Sequence, residues 1–228
     1  MSIDPSSILY FEWGFVRISA TLVFTWLTMG ILVGMSFLIT RSIRKSRNLT
    51  KGQHMLEATI EVVNQQIKDI AQQDPKPYLP FIATLFVFIL SANVFSLIPG
   101  FISPTGSLNT TIALALAVFF AVPFFGIGSQ GLLGYLKDYA KPSIVMLPFN
   151  IISELSRTLS LAIRLYGNVM STSVIVAILL GVIPLFFPIV IQLLGLLTGV
   201  IQAYIFAILA IVYIASATSN QKKENRNE

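Results

Sequence analysis

The chain has no cysteine and a single histidine, His54, among 228 residues. The first absence excludes disulfides and thiolate metal sites, and it leaves the redox compartment unreadable. The second removes the histidine clusters and HExxH helices on which metal centres are built. His54 stands in a polar segment with no companion and reads as solvated. Charge is scarce as well: 11% of residues are Asp, Glu, Lys or Arg, against about 25% in a soluble domain. What fills the space is apolar, with 55% hydrophobic residues and a mean hydropathy of +0.80. This is the composition of a polytopic membrane protein.

Acidic residues are outnumbered, 10 to 15, giving a net charge of +5. Such a balance can mark a nucleic-acid partner, but the basic residues are placed as membrane topology requires. Arg41, Arg44, Lys45, Arg47, Lys51, Lys68 and Lys76 follow the first apolar run, Lys137 and Lys141 follow the third, and Lys222, Lys223 and Arg226 lie at the C-terminus. With the N-terminus outside and five crossings, all of these fall on the cytoplasmic side. The partner implied is therefore a lipid bilayer, with the C-terminus on its cytoplasmic side, and not nucleic acid.

The expected fold is all-α, one membrane domain over 1–228. Residues 1–15 form an outer N-terminus. The run 16–40 is the first helix, ending in RSIRKSR where a cleaved signal would have small residues. In 41–77, Met55, Ile60, Val63, Ile67 and Ile70 recur at helical spacing and predict an amphipathic cytoplasmic helix, lying on the membrane or docking a partner. Pro75, Pro77 and Pro80 open the second helix, 78–99, which Pro99 and Gly100 close. A third helix covers 109–128, and 129–145 is an interfacial segment with tyrosines at headgroup depth. The segments 146–182 and 184–218 are each long enough, about 50 Å as helix, to overspan a core near 30 Å. Joined by the short GVIPLFFP, they predict a steeply tilted antiparallel hairpin.

The stretch Glu154 to Thr172, ELSRTLSLAIRLYGNVMST, places Glu154, Arg157 and Arg164 inside this hairpin. At mid-bilayer each charge costs about 2.5 to 3.5 kcal/mol, so all three must face protein or water. Arg157 and Arg164 fall on one side of a helix, with Asn168 and then Ser171 or Thr172 continuing a polar stripe. Two readings stand: a buried ion pair or snorkelling arginine near a helix end, or ion handling at membrane depth. Arg164, with apolar sequence on both sides, favours the second. On the other arm Gln192, Thr198, Gln202 and Tyr204 interrupt the apolar run, and Gln202 suits either a pairing with the arginine stripe or plain interhelical hydrogen bonding.

SLAIRLYGN (Ser160 to Asn168) followed by GVIQAYIFAILAIVYIASA (Gly199 to Ala217) resembles subunit a of rotary F-type ATP synthases. Its hallmarks are an arginine before Leu-aromatic-Gly-Asn on the first arm and Gln-Ala-aromatic-Ile-Phe on the second. Asn93 with SLIPG, Leu108-Asn109-Thr110-Thr111, and Pro148-Phe149-Asn150 leading to Glu154 extend the likeness from about Tyr78 to Ala217. The resemblance implies a stator that works beside a c-subunit ring, with peripheral-stalk b subunits and a soluble catalytic head. It carries no cofactor, only a transported H⁺ or Na⁺, and no catalytic site of its own. By the same correspondence Arg164 is the essential arginine, Asn168 and Gln202 line the pathway near it, and Glu154 serves the cytoplasmic half-channel. Arg157, Ser160, Ser171, Thr172, Ser173, Gln192, Thr198, Tyr204, Asn93 and Asn109 form a wider candidate set for channel lining.

Three departures qualify the likeness. Ser173 and Gly195 stand where many relatives have an acid and a histidine or acid, and Ser107 where many have aspartate. Neutral oxygens suit a hydrated path or a hard cation such as Na⁺ better than a carboxylate-histidine relay. With the short N-terminal region and SELSRT, this resembles the alternate N-type branch, often sodium-linked. The ion remains open, because its choice resides mainly in the c subunit. A stand-alone secondary ion transporter is the competing reading, although no internal repeat of the usual kind is visible.

Overall fold

A computed structural model describes residues 9–13, 16–45, 61, 65, 77–98, 100–139, 145–183 and 186–218. The amphipathic cytoplasmic helix expected within 41–77 and the tail 219–228 lie outside the described residues, apart from the first residues of the former, which continue helix α1.

The expected first helix begins later than its apolar run. Strands β1 (Leu9–Trp13) and β2 (Val16–Ser19) pair antiparallel, and helix α1 (Ala20–Lys45) starts where the second strand stops. The β-branched content of Val16 and Ile18 suits either structure, and the local pairing decides it for strand. The all-α expectation thus holds for the membrane helices and gives way to a small hairpin before them.

Helix α2 (Leu79–Phe95) has a proline in its first turn, where the missing N–H costs nothing, and Tyr78 as its N-cap residue. It ends before Gly100, whose φ of 88° supplies the left-handed turn. A 3₁₀ turn, Pro104–Gly106, then folds inward and is fully buried. Helix α3 (Leu108–Tyr139) contains Pro123, and its backbone leaves helical geometry at Gly131, with φ 74° and ψ 164°. Beyond that glycine the chain doubles back, since a Cβ on Gly126 would meet the ring of Tyr135 at 2.6 Å. This returning piece falls within 129–145, where an interfacial segment is expected.

Helices α4 (Met146–Val182) and α5 (Phe187–Thr218) are the two long arms. The first has the expected bounds, and the second begins three residues later than expected. Among the described residues, four helices are long and apolar enough to cross a membrane, and α2 is a shorter apolar helix. The protein is an integral membrane protein.

In lipid, apolar burial does not drive helices together, so close approach through small residues does. Accordingly the core joins Ile82, Leu85 and Ile89 of α2, Ala115 and Val118 of α3, Leu161, Ala162 and Leu165 of α4, and Ala203, Phe206 and Ala210 of α5. Helix α1 packs at the margin, against α2, β2 and the 3₁₀ turn.

Candidate functional site

Helix α4 presents two sides. Thr158, Leu161, Ala162, Leu165 and Val176 are buried against the bundle, while Arg157, Ser160, Arg164, Gly167 and Ser171 are exposed on the other side. The arginine stripe therefore lies on a face that the chain itself does not cover. Leu165 is fully buried and Arg164 beside it is exposed. No hydrogen bond or ion pair reaches Arg164 among the described residues.

Two cavities flank this arginine along α4. The first, about 230 Å³, is walled by Asn150, Ser153, Glu154, Arg157 and Thr158 of α4, with Tyr213 and Ser216 of α5 and Tyr135 of α3. The Arg157 guanidinium carbon sits 5.6 Å from the centroid of the Tyr213 ring, within cation–π range. Tyr135, beyond the membrane span of α3, has its hydroxyl pushed up to about 12 by burial and then by the charge of Glu154.

The second cavity, about 310 Å³, lies toward the other end of α4. Thr172, Ser173, Gln192, Asn93, Ser96 and Ser103 provide its polar lining. None of its lining residues titrates near neutral pH, and none is shared with the first cavity. Asn93, buried on α2, donates from Nδ2 to the Gly199 carbonyl at 2.9 Å. The hydroxyls are turned onto their own helix: Ser171 and Thr172 donate to the Asn168 carbonyl, at 3.1 and 3.0 Å, and Ser173 to that of Val169 at 2.9 Å. Thr198 likewise donates to the carbonyls of Leu194 and Gly195.

In the wall of the second cavity α4 and α5 touch at Thr172 and Gly195, where a Cβ on the glycine would meet the Thr172 side chain. From that contact the antiparallel helices carry Gln202 to the level of Leu165, beside Arg164. Gln202 is 6% exposed, and its Nε2 has no hydrogen-bond partner among the described residues. The two residues expected to act together thus share a depth, one exposed and one buried, and no hydrogen bond joins them. Ser160, Asn109 and Tyr204 line neither cavity.

Several lining residues escape a reading of the sequence. Tyr213 looks like an ordinary interface tyrosine near the end of an apolar run, and Tyr135 like a headgroup anchor. A signal for Tyr213 exists: eleven residues beyond Gln202 it returns to within about 20° of the same helix face.

Fold and site define an integral membrane protein with two cavities that flank an exposed arginine midway along α4. Residues 22–215 match the family described as ATP synthase A chain. The chain is 54% identical, over 96% of its length and 93% of the relative's, to ATP synthase subunit a 2 of Acaryochloris marina. It is also 54% identical to ATP synthase subunit a 1 of Crocosphaera subtropica, covering 100% of this chain and 99% of that one. ATP synthase subunit a of Albidiferax ferrireducens is 52% identical over 97% of the chain and 96% of its own length. The chain belongs to the ATP synthase A chain family, and its function lies in the membrane sector of an ATP synthase.

Proposed function

We propose that the two cavities are the inner and outer ion half-channels, and that the exposed face of α4 bearing Arg164 is turned toward the c-subunit ring. The observation that carries this reading is the position of Arg164. It lies seven residues from Arg157 in one cavity and eight from Thr172 in the other, about 10 to 12 Å each way along the helix.

An uncovered arginine at this depth is costly in lipid. Against a ring carboxylate it is stabilised, and its fixed charge favours the ionised carboxylate that has just released its ion. The same charge blocks direct cation leakage between the half-channels. Glu154 and Arg157 serve the cytoplasmic cavity, while Thr172, Ser173, Gln192 and Asn93 line the outer one. Asn168 and Gln202 flank the arginine at the point of transfer. In this reading five helices cross the bilayer, α4 and α5 as a tilted hairpin, with the N-terminus outside and the C-terminus in the cytoplasm. Peripheral-stalk b subunits and the soluble head complete the assembly. The transported ion is H⁺ or Na⁺, and the neutral outer lining supports assignment to the N-type branch.

The test is ATP-driven ion uptake by inverted vesicles holding the whole complex, with Arg164→Ala beside wild type, in sodium-containing and sodium-depleted buffer. Loss of coupled uptake in an assembled complex supports the assignment, and sodium-stimulated Na⁺ uptake by wild type identifies the ion. Normal pumping by the alanine variant overturns the assignment.

A further inference from the structure

The inner cavity contains a contact that the ion pathway does not by itself require. Arg157 projects from the exposed side of α4 on a long, rotatable stem, and such a side chain left alone samples many positions. Tyr213 differs: it is partly buried and packed against both core clusters, so its ring is the fixed partner and the guanidinium the mobile one. The two come from facing helices, meet at 5.6 Å, and wall the same cavity as Glu154. The attraction of a cation to a ring face depends on the π-system and not on the hydroxyl.

We propose that Tyr213 is a positioning residue for ion passage, its ring holding the Arg157 guanidinium at the wall of the inner cavity beside Glu154. The cavity then carries an oriented positive charge next to its carboxylate. The titratable groups facing this charge are Glu154 on α4 and Tyr135 on α3, with Tyr213 itself on α5. Without the ring, Arg157 swings away, and the cavity loses the oriented charge beside its carboxylate.

This inference rests on the ion-pathway reading, and one set of vesicle experiments on the whole complex separates the two. Coupled ion uptake is measured against cytoplasmic-side pH for Tyr213→Phe, Tyr213→Leu, Arg157→Gln and the Leu/Gln double variant. Tyr213→Phe is expected within about twofold of wild type, and Tyr213→Leu about threefold to tenfold lower. The pH profile of Tyr213→Leu shifts from that of wild type in the same direction as that of Arg157→Gln, and the double variant is no worse than the poorer single one. Trifluorophenylalanine at position 213 keeps the shape, weakens the π-face, and behaves like Leu. It decides the matter even if Tyr213→Leu fails to assemble. Wild-type behaviour of the fluorinated protein, independent multiplying losses, or equal loss in Tyr213→Phe and Tyr213→Leu overturns the proposal. If Arg164→Ala is inactive while the fluorinated protein is normal, only the role of Tyr213 fails; if Arg164→Ala pumps normally, the pathway reading fails.

Discussion

Gly195 of α5 lies directly against Thr172 of α4, so closely that a methyl group on the glycine would overlap the threonine side chain. The position that could hold a titratable histidine is thus occupied by a helix crossing. Packing thus keeps Gly195 without a side chain, and the cavity that it borders takes its polar lining from hydroxyls and amides.

Substituting Gly195→Ala is expected to destabilise the subunit by about 1 to 3 kcal/mol through overpacking. Adding Thr172→Ser removes the obstructing methyl and recovers most of that loss, a non-additivity typical of touching residues. Thermal dissociation of the assembled complex measures both, and additive effects would show that the two helices do not meet here.

A second close approach gives a matching pair. Asn93 donates to the Gly199 carbonyl, and a Cβ on Gly199 would come within 2.9 Å of the Asn93 side chain. Removing the hydrogen bond with Asn93→Ala costs about 0.6 kcal/mol on the scale of membrane helix pairs. Gly199→Ala costs more in wild type than in the Asn93→Ala background, which denaturant titration of the purified complex will resolve.

Arg164→Lys tests whether charge alone suffices. Because Arg164 is exposed and has no hydrogen bond or ion pair among the described residues, the variant is expected to assemble in normal amount. Coupled transport should fall at least about tenfold, since an ammonium lacks the rigid fork and gives up its proton more readily in a dry site. Near-normal ion flux with a normal yield of complex would refute this.

The absence of cysteine makes the two cavities directly addressable. Ser153→Cys in one and Ser173→Cys in the other introduce single thiols with little change in size. A membrane-impermeant thiol reagent is expected to label Cys at 153 only from the cytoplasmic side and at 173 only from the outside. Labelling of both from one side would contradict the opposed half-channels.

Much of this was legible before the fold was known. The bounds of α4 followed from a long, predominantly apolar run, because a bilayer accepts only backbone that satisfies its own hydrogen bonds. The shared side of Arg157 and Arg164 followed from helical periodicity, and their exposure on one face agrees with it. The β-hairpin before α1 was missed, because β-branched and apolar residues serve strand and helix equally and a neighbouring strand decides between them. Tyr213 was passed over because its sequence neighbours look like any helix end; its role depends on Arg157, 56 positions away in the chain.

By itself the sequence determined the membrane class, the long helices and the side of α4 that carries its arginines, since each depends on the local balance of apolar and polar residues along one helix. Only the tertiary structure decided which residues became neighbours: Thr172 with Gly195, Asn93 with Gly199, and Arg157 with Tyr213. Those pairings depend on how closely small residues let separate helices approach, a property of the packed assembly that no single helix contains.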